Sequence, residues 1–237
     1  CAGSTGSTHR GRHRNREVRE MNDVVARAAP DEPPHRVRLL PCGDRATLVE
    51  LPLDAGVLEF RADVAALGLA GVGELVPAAR TLLVHHSAAR GPVVRGALVT
   101  LPLRKPEAIA TTAPVQVAVH YDGADLTGVA DEIGCSVEAV IAQHQDPTYV
   151  VAFCGFAPGF AYLVGLPSAL RLPRLATPRT RVPAGSVAIA GEYSAVYPRE
   201  SPGGWRLLGR TEATLWEVHL DPPAVLTPGR AVRFVAA

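Results

Sequence analysis

Seven arginines fall between positions 171 and 210: Arg171, Arg174, Arg179, Arg181, Arg199, Arg206 and Arg210. They face only two acids, Glu192 and Glu200, a net of +5 over 40 residues. A guanidinium is a rigid, permanently charged fork whose donors match carboxylate and phosphate oxygens. The same stretch carries two turn-rich segments, 177–186 (TPRTRVPAGS) and 201–205 (SPGGW). Glycine turns let backbone N–H groups approach an anion closely. Arg179, Arg181 and Arg210, with Ser186, Ser201, Gly203, Gly204 and Trp205, are therefore candidate binders of a negatively charged small molecule. Taken singly, each arginine is equally compatible with surface charge, because 23 of the 24 basic residues are Arg and the bias runs through the whole chain.

A second segment, 155–163 (GFAPGFAYL), sets Phe156, Phe160 and Tyr162 in a frame of Gly155, Pro158 and Gly159. That composition suits a loop of fixed shape. It reads either as a substrate-facing wall or as an aromatic plug closing one end of a domain.

Several common catalytic engines are missing. There is no G-x-x-x-x-G-K-[ST] loop for a nucleotide, no G-x-S-x-G and no H-E-x-x-H. Met21 is the only methionine, so no Met-Lys-Met biotin site exists, and Lys105, the only lysine, sits in a Pro-flanked stretch unsuited to catalysis. The eight histidines do not cluster, and at each a packed or solvated ring is the simpler reading. His120, beside Tyr121, Asp122 and Gly123, is the best exception. Cys1, Cys42, Cys135 and Cys154 form no C-x-x-C pair, which argues against structural zinc and fits a reducing, cytoplasmic setting.

The elements that must position these residues follow from periodicity. After a polar, Gly/Ser-rich start (1–34), expected to be disordered with natural translation from Met21, apolar runs at 37–40 and 46–51 read as strands. Val57, Phe60, Val64 and Leu67 share a helix face; 72–76 and 81–85 read as strands, and 93–98 as a helix. The expectation is a small α+β unit over 35–103, a connector at 104–114 and a second unit over 115–237. That second unit is mainly β: runs at 115–119, 148–153, 186–189, 195–197, 205–208, 215–218 and 231–235 predict a closed or nearly closed barrel. Two helices interrupt it, with Gly134 ending the first and Ser136 capping the second. Helix–turn–helix spacing raises nucleic-acid binding, but 121–170 holds six acids and no Lys or Arg, which a phosphate backbone would repel. No run of 18 apolar residues occurs, and 1–20 lacks the apolar core of a signal peptide.

Five blocks together carry a resemblance: 43–46 (GDRA), 74–84 (ELVPAARTLLV), 155–163 (GFAPGFAYL), 177–191 (TPRTRVPAGSVAIAG) and 197–211 (YPRESPGGWRLLGRT). The chain resembles the KipI / allophanate hydrolase subunit 1 family, largely associated with the B subunit of bacterial 5-oxoprolinases (PxpB). The resemblance covers about 37–235. It implies a cyclophilin-like (carboxyltransferase C/D-type) barrel after the α+β unit. It also implies a complex with a C-type, KipA-like subunit and an A subunit of the LamB/YcsF type, and the ATP-dependent opening of 5-oxoproline to glutamate with Mg²⁺. On that basis Arg179 and Arg181 would hold phosphate or carboxylate, with Ser201, Gly203 and Gly204 supplying donors and Asp122 or Glu192 helping to place the metal. Two alternatives stay open: a carboxyltransferase or allophanate hydrolase subunit of urea breakdown, and a KipI-like inhibitor of a sensor histidine kinase.

Overall fold

Residues 36–107 and 113–237 are described by a computed structural model. The expectations for 1–34, Cys1, His9, His13 and His35, and for the middle of the 104–114 connector, fall outside the described residues. The described part from Arg36 onward belongs to one unit.

The N-terminal run folds as the apolar spacing requires. Strands β1 (Arg38–Pro41) and β2 (Ala46–Glu50) form a hairpin; helix α1 (Val57–Ala66), strands β3 (Val72–Pro77) and β4 (Thr81–His86), and helix α2 (Gly91–Leu98) follow. The antiparallel sheet has the order β1-β2-β4-β3. Its core is Val49, Leu51, Phe60, Val64, Leu82, Val84, Val94 and Leu98, drawn from alternate strand positions and from i, i+4 positions of the helices.

A larger sheet of seven strands follows: β5 (Val115–Val119), β6 (Tyr149–Cys154), β7 (Ala161–Val164), β9 (Ser186–Ala190), β10 (Tyr193–Val196), β12 (Arg206–Arg210) and β13 (Ala231–Ala236). The order is β12-β9-β10-β7-β6-β13-β5. His120, just past β5, pairs with Arg210 at the end of β12 through two 2.9 Å backbone hydrogen bonds, which joins the sheet's edges and nearly closes a barrel. Closure removes the exposed edges that an open sheet would leave. A separate ribbon, β8 (Arg179–Val182) with β11 (Ser201–Gly203), completes the strands.

Helices α3 (Leu126–Ile133) and α4 (Val137–Gln145) pack into the barrel core through Leu126, Val129, Ala130 and Val140. As expected, Gly134 ends α3 in the left-handed region (φ 71°), and the Ser136 hydroxyl accepts from the Ala139 N–H to cap α4. His144 is fully buried on α4. Its ring stacks on Phe234 at 4.5 Å and lies 2.9 Å from both the Tyr121 and the Ser194 hydroxyls. A neutral ring donates through one nitrogen and accepts through the other, so the Tyr121 and Ser194 hydroxyls, one acting as acceptor and one as donor, satisfy both. Burial lowers the imidazole pKa to about 3, which keeps the ring neutral.

Strand β9 is buried on both faces. Val187 and Ile189 enter the barrel core, whereas Ala188 and Ala190 face a second cluster outside it, with Phe160, Tyr197, Trp205 and Leu207. Small residues on the outer face leave room for large rings.

Four local expectations need correction. The 155–163 segment is a loop only to Phe160; Ala161 begins β7, because Ala161 and Leu163 alternate into the core while Tyr162 points out. Segments 177–186 and 201–205, read as turns, contain β8 and β11. Proline and glycine are tolerated there because each strand is a short edge with one partner. Conversely, 215–218 is no strand. Only Trp216 pairs, with Ala224, because Pro222 and Pro223 interrupt the return.

Candidate functional site

The outer aromatic cluster carries a cleft of about 250 Å³ between the 155–163 loop, the β8–β11 ribbon and the 174–178 segment. Phe160 stands edge-on to Trp205 (5.5 Å, 90°) and to Tyr197 (5.3 Å, 82°), and Tyr162 stands edge-on to Trp205 (5.7 Å). Edge-to-face packing lets positive ring edges meet negative ring faces and holds the wall in one arrangement. Arg174 lies with its guanidinium carbon 5.9 Å above the Trp205 ring, at the rim of the cleft.

Phe156 is at the mouth, 59% exposed. The Ala157 N–H donates to the Gly155 carbonyl at 2.8 Å, closing a three-residue turn centred on Phe156, whose φ is +68°. Positive φ in a bulky residue is strained, and such strain persists only where surrounding structure holds it. Here the Phe160 N–H donates back to Ala157 and the Gly155 N–H to Phe160, locking the loop on both sides.

Gly203 lies under the Tyr197 hydroxyl, and a Cβ there would collide with it. Burial pushes the Tyr197 hydroxyl's pKa up, against the opposing pull of a Trp205 backbone hydrogen bond and the Arg174 and Arg179 charges. The Leu175 N–H donates to the Gly204 carbonyl at 2.7 Å and ties the Arg174 segment to the ribbon.

Of the residues singled out from sequence, Phe156, Phe160, Tyr162, Gly203, Gly204 and Trp205 therefore meet in one cleft. The others do not line it. Gly155 closes the turn beneath it, Pro158 is exposed beside it, and Gly159 (φ +80°) packs where a Cβ would strike Trp216. The Ser186 and Ser201 hydroxyls donate to the Pro183 and Arg199 carbonyls.

The arginines are largely spoken for. Arg179 Nη2 is 2.6 Å from Asp125, whose other oxygen accepts the Leu207 N–H at 2.7 Å. Arg179 Nη1 is buried with no hydrogen-bond partner. Arg181 pairs with Glu200 (2.6 Å) in solvent, Arg206 with Glu132 (2.7 Å), and Arg210 with Asp122 (2.8 Å). Three of these four acids come from the acid-rich 121–170 stretch. The opposite charge of two neighbouring sequence segments is thus mostly complementarity across the fold. Arg174, absent from the sequence-derived site, is the arginine in the cleft. Its only sequence signal was its place among the seven.

Nor do the carboxylates proposed for a metal converge. Asp122 is engaged by Arg210, and Glu192 lies beside Tyr193 in a different cavity of about 410 Å³, between the start of α1 and β10. Among the described residues no group of three or more His, Cys, Asp or Glu is placed to hold an ion. Asp122 and Glu192, as the structure places them, do not fit a Mg²⁺ site. No described helix is long and apolar enough to cross a membrane.

Residues 37–226 match the family model of the carboxyltransferase domain, subdomain C and D. Two curated relatives each bear the name of the B subunit of 5-oxoprolinase. The one from Escherichia coli O157:H7 is 48% identical over 124 residues, covering 51% of this chain and 57% of the relative. The one from Haemophilus influenzae is 44% identical, covering 51% and 58%. The chain thus spans little more than half the length of the curated relatives it matches. The crystal structure of TTHA0988 superposes on 81% of this chain and 40% of its own, with a TM-score of 0.68 and 37% identity. That of Kluyveromyces lactis urea amidolyase superposes on 88% of this chain and 15% of its own, with a TM-score of 0.64 and 20% identity, a likeness of fold alone.

Proposed function

The chain belongs to the carboxyltransferase subdomain C and D family, and on that premise we propose that it acts as the B subunit of an ATP-dependent 5-oxoprolinase. It would open 5-oxoproline to glutamate in complex with a C-type, KipA-like subunit and an A-type, LamB/YcsF-like subunit. The observation that carries this reading is the 44–48% identity to proteins that bear this name. The division into an α+β unit at 35–103 and a cyclophilin-like barrel at 115–237, and a cytoplasmic location, belong to the same proposal.

The cleft supplies chemistry that suits the reaction. 5-Oxoproline is a small cyclic amide bearing a carboxylate. Its amide is resonance-stabilised and opens poorly until its oxygen is activated, and ATP can supply that activation by phosphorylation. The protein's share is positioning and charge stabilisation. Phe160, Tyr162 and Trp205 would flank the ring and exclude water. Gly203 and Gly204 would let backbone come close. Arg179, whose charge Asp125 already answers, would contribute only through its unspent Nη1 N–H group. Arg181, Arg210 and Asp122 would act only from the periphery. ATP and its Mg²⁺ are assigned to no residue of this chain.

Co-expression with the A-type and C-type partners tests the reading: glutamate should form only when both 5-oxoproline and ATP are present. An assembled complex that forms none removes it. Urea-dependent turnover with a biotin carboxylase partner, or capture of a histidine kinase without turnover, would move the assignment to the two alternatives. In the same complex, Arg179→Ala should abolish turnover while assembly survives; unchanged turnover takes Arg179 out of the site.

A further inference from the structure

We propose that Arg174, laid over Trp205, is the residue that sets specificity in the cleft, and that the cleft accepts a small, flat monoanion rather than a nucleotide. The inference rests on reading the cleft as the substrate site and names the contact that selects.

Elimination and geometry converge on Arg174. Arg179, Arg181, Arg206 and Arg210 each answer a carboxylate. Arg171 donates through Nε to the Leu166 carbonyl. Neither Arg174 nor the exposed Arg199 has a carboxylate partner among the described residues, and Arg174 alone of the seven lines the cleft. A guanidinium over an aromatic face uses its π surface on the ring and keeps its edge donors for an anion in the plane of the fork. The Leu175–Gly204 backbone bond holds the neighbouring residue, so the fork is presented from an anchored segment.

Size and charge then restrict the ligand. The cleft, at about 250 Å³, falls below the roughly 300–1,000 Å³ of pockets for drug-sized molecules. A single guanidinium balances a single carboxylate. A polyphosphate would bring several charges against a wall that is mostly aromatic, where an unpaired charge is costly. The wall of the cleft is mostly aromatic, with Phe156, Phe160, Tyr162, Tyr197 and Trp205 lining it, a surface suited to a flat ring.

The test uses the full chain carrying Trp216→Phe, which leaves Trp205 as its only tryptophan. Trp205 fluorescence is titrated with 5-oxoproline, pyrrole-2-carboxylate, 2-pyrrolidinone (the lactam without its carboxylate) and ATP. The carboxylates should give a saturable change. Pyrrolidinone should bind about ten-fold or more weakly, and ATP should give no response at the cleft. Arg174→Gln should weaken carboxylate binding about ten-fold or more and bring it level with pyrrolidinone, while Arg174→Lys, which keeps the charge, recovers part of the loss. The inference is overturned if neither carboxylate binds, if Arg174→Gln binds them as well as the parent, or if ATP competes for the cleft. Arg174-dependent binding of pyrrole-2-carboxylate without binding of 5-oxoproline would uphold the inference and remove the 5-oxoproline reading.

Discussion

Strand β9 separates two environments that handle polar groups differently, although each side keeps one buried side-chain nitrogen without a partner, Gln145 Nε2 at the end of α4 and Arg179 Nη1 on the ribbon. Inside the barrel, the buried imidazole is fully satisfied: its two nitrogens hydrogen-bond the Tyr121 and Ser194 hydroxyls, and the His144 backbone carbonyl accepts from the Tyr149 hydroxyl at 2.9 Å. Outside, across Ala188 and Ala190, the aromatic cluster keeps a strained Phe156, an arginine without a carboxylate and a buried Arg179 nitrogen without a partner. Buried polar groups are normally paired, and unpaired or strained ones concentrate where something is to be bound. The difference marks the barrel interior as scaffold and supports the proposal that its outer face is the working surface, although both are built from the same strands.

The sharpest way to break this contrast is to damage the scaffold. His144→Ala removes a fully buried ring and orphans the Tyr121 and Ser194 hydroxyls, and should cost about 3–5 kcal/mol in chemical denaturation. A loss under about 1 kcal/mol would mean the network contributes little.

The same residue makes a pH prediction. His144 has a folded pKa near 3 against an ordinary 6.5, so below pH 6.5 the unfolded chain binds a proton that the folded chain refuses. Stability should therefore be full above pH 6.5 and fall by up to about 1.4 kcal/mol per pH unit between 6.5 and 3. Denaturation midpoints across that range, compared with His144→Gln, check it; an identical slope in the variant assigns the acid sensitivity to other groups.

Gly203→Ala acts on the working surface. The added methyl displaces the Tyr197 hydroxyl, at an expected cost of about 1–3 kcal/mol, and should disturb ligand binding more than folding. Wild-type binding in that variant would separate the ribbon from the site.

Smallest of all, Arg181→Ala breaks an ion pair with Glu200 in which both side chains are solvated (75% and 51% exposed), and should change stability by less than about 1 kcal/mol. Turnover in the assembled complex should stay close to wild type. A large loss would return Arg181 to the site, by way of a partner surface.

Much of the fold was legible because burial imposes periodicity. The β-β-α-β-β-α order of the first region, the Gly134 and Ser136 helix ends and the nearly closed barrel all follow from local spacing and turn chemistry. The missed strands have two causes: β8 and β11 are short edges rich in Gly, Pro or Arg that only a partner strand makes strands, and β7 is a four-residue interior strand, between β10 and β6, that directly follows a Gly/Pro loop. The site was half legible. Aromatic and glycine content picked out Phe156, Phe160, Tyr162, Gly203, Gly204 and Trp205, but charge counting favoured Arg179, Arg181, Arg210 and Asp122 over Arg174.

A count of charges along a chain cannot say which are already neutralised. Asp125 lies 54 positions from Arg179, and Asp122 lies 88 from Arg210. Residue type and spacing determined the family blocks, the elements and the aromatic wall, because these depend on local backbone preference and on which side chains avoid water. Only the tertiary structure decided which guanidinium remains available, because electrostatic pairing acts over ångströms in space and takes no account of distance along the chain.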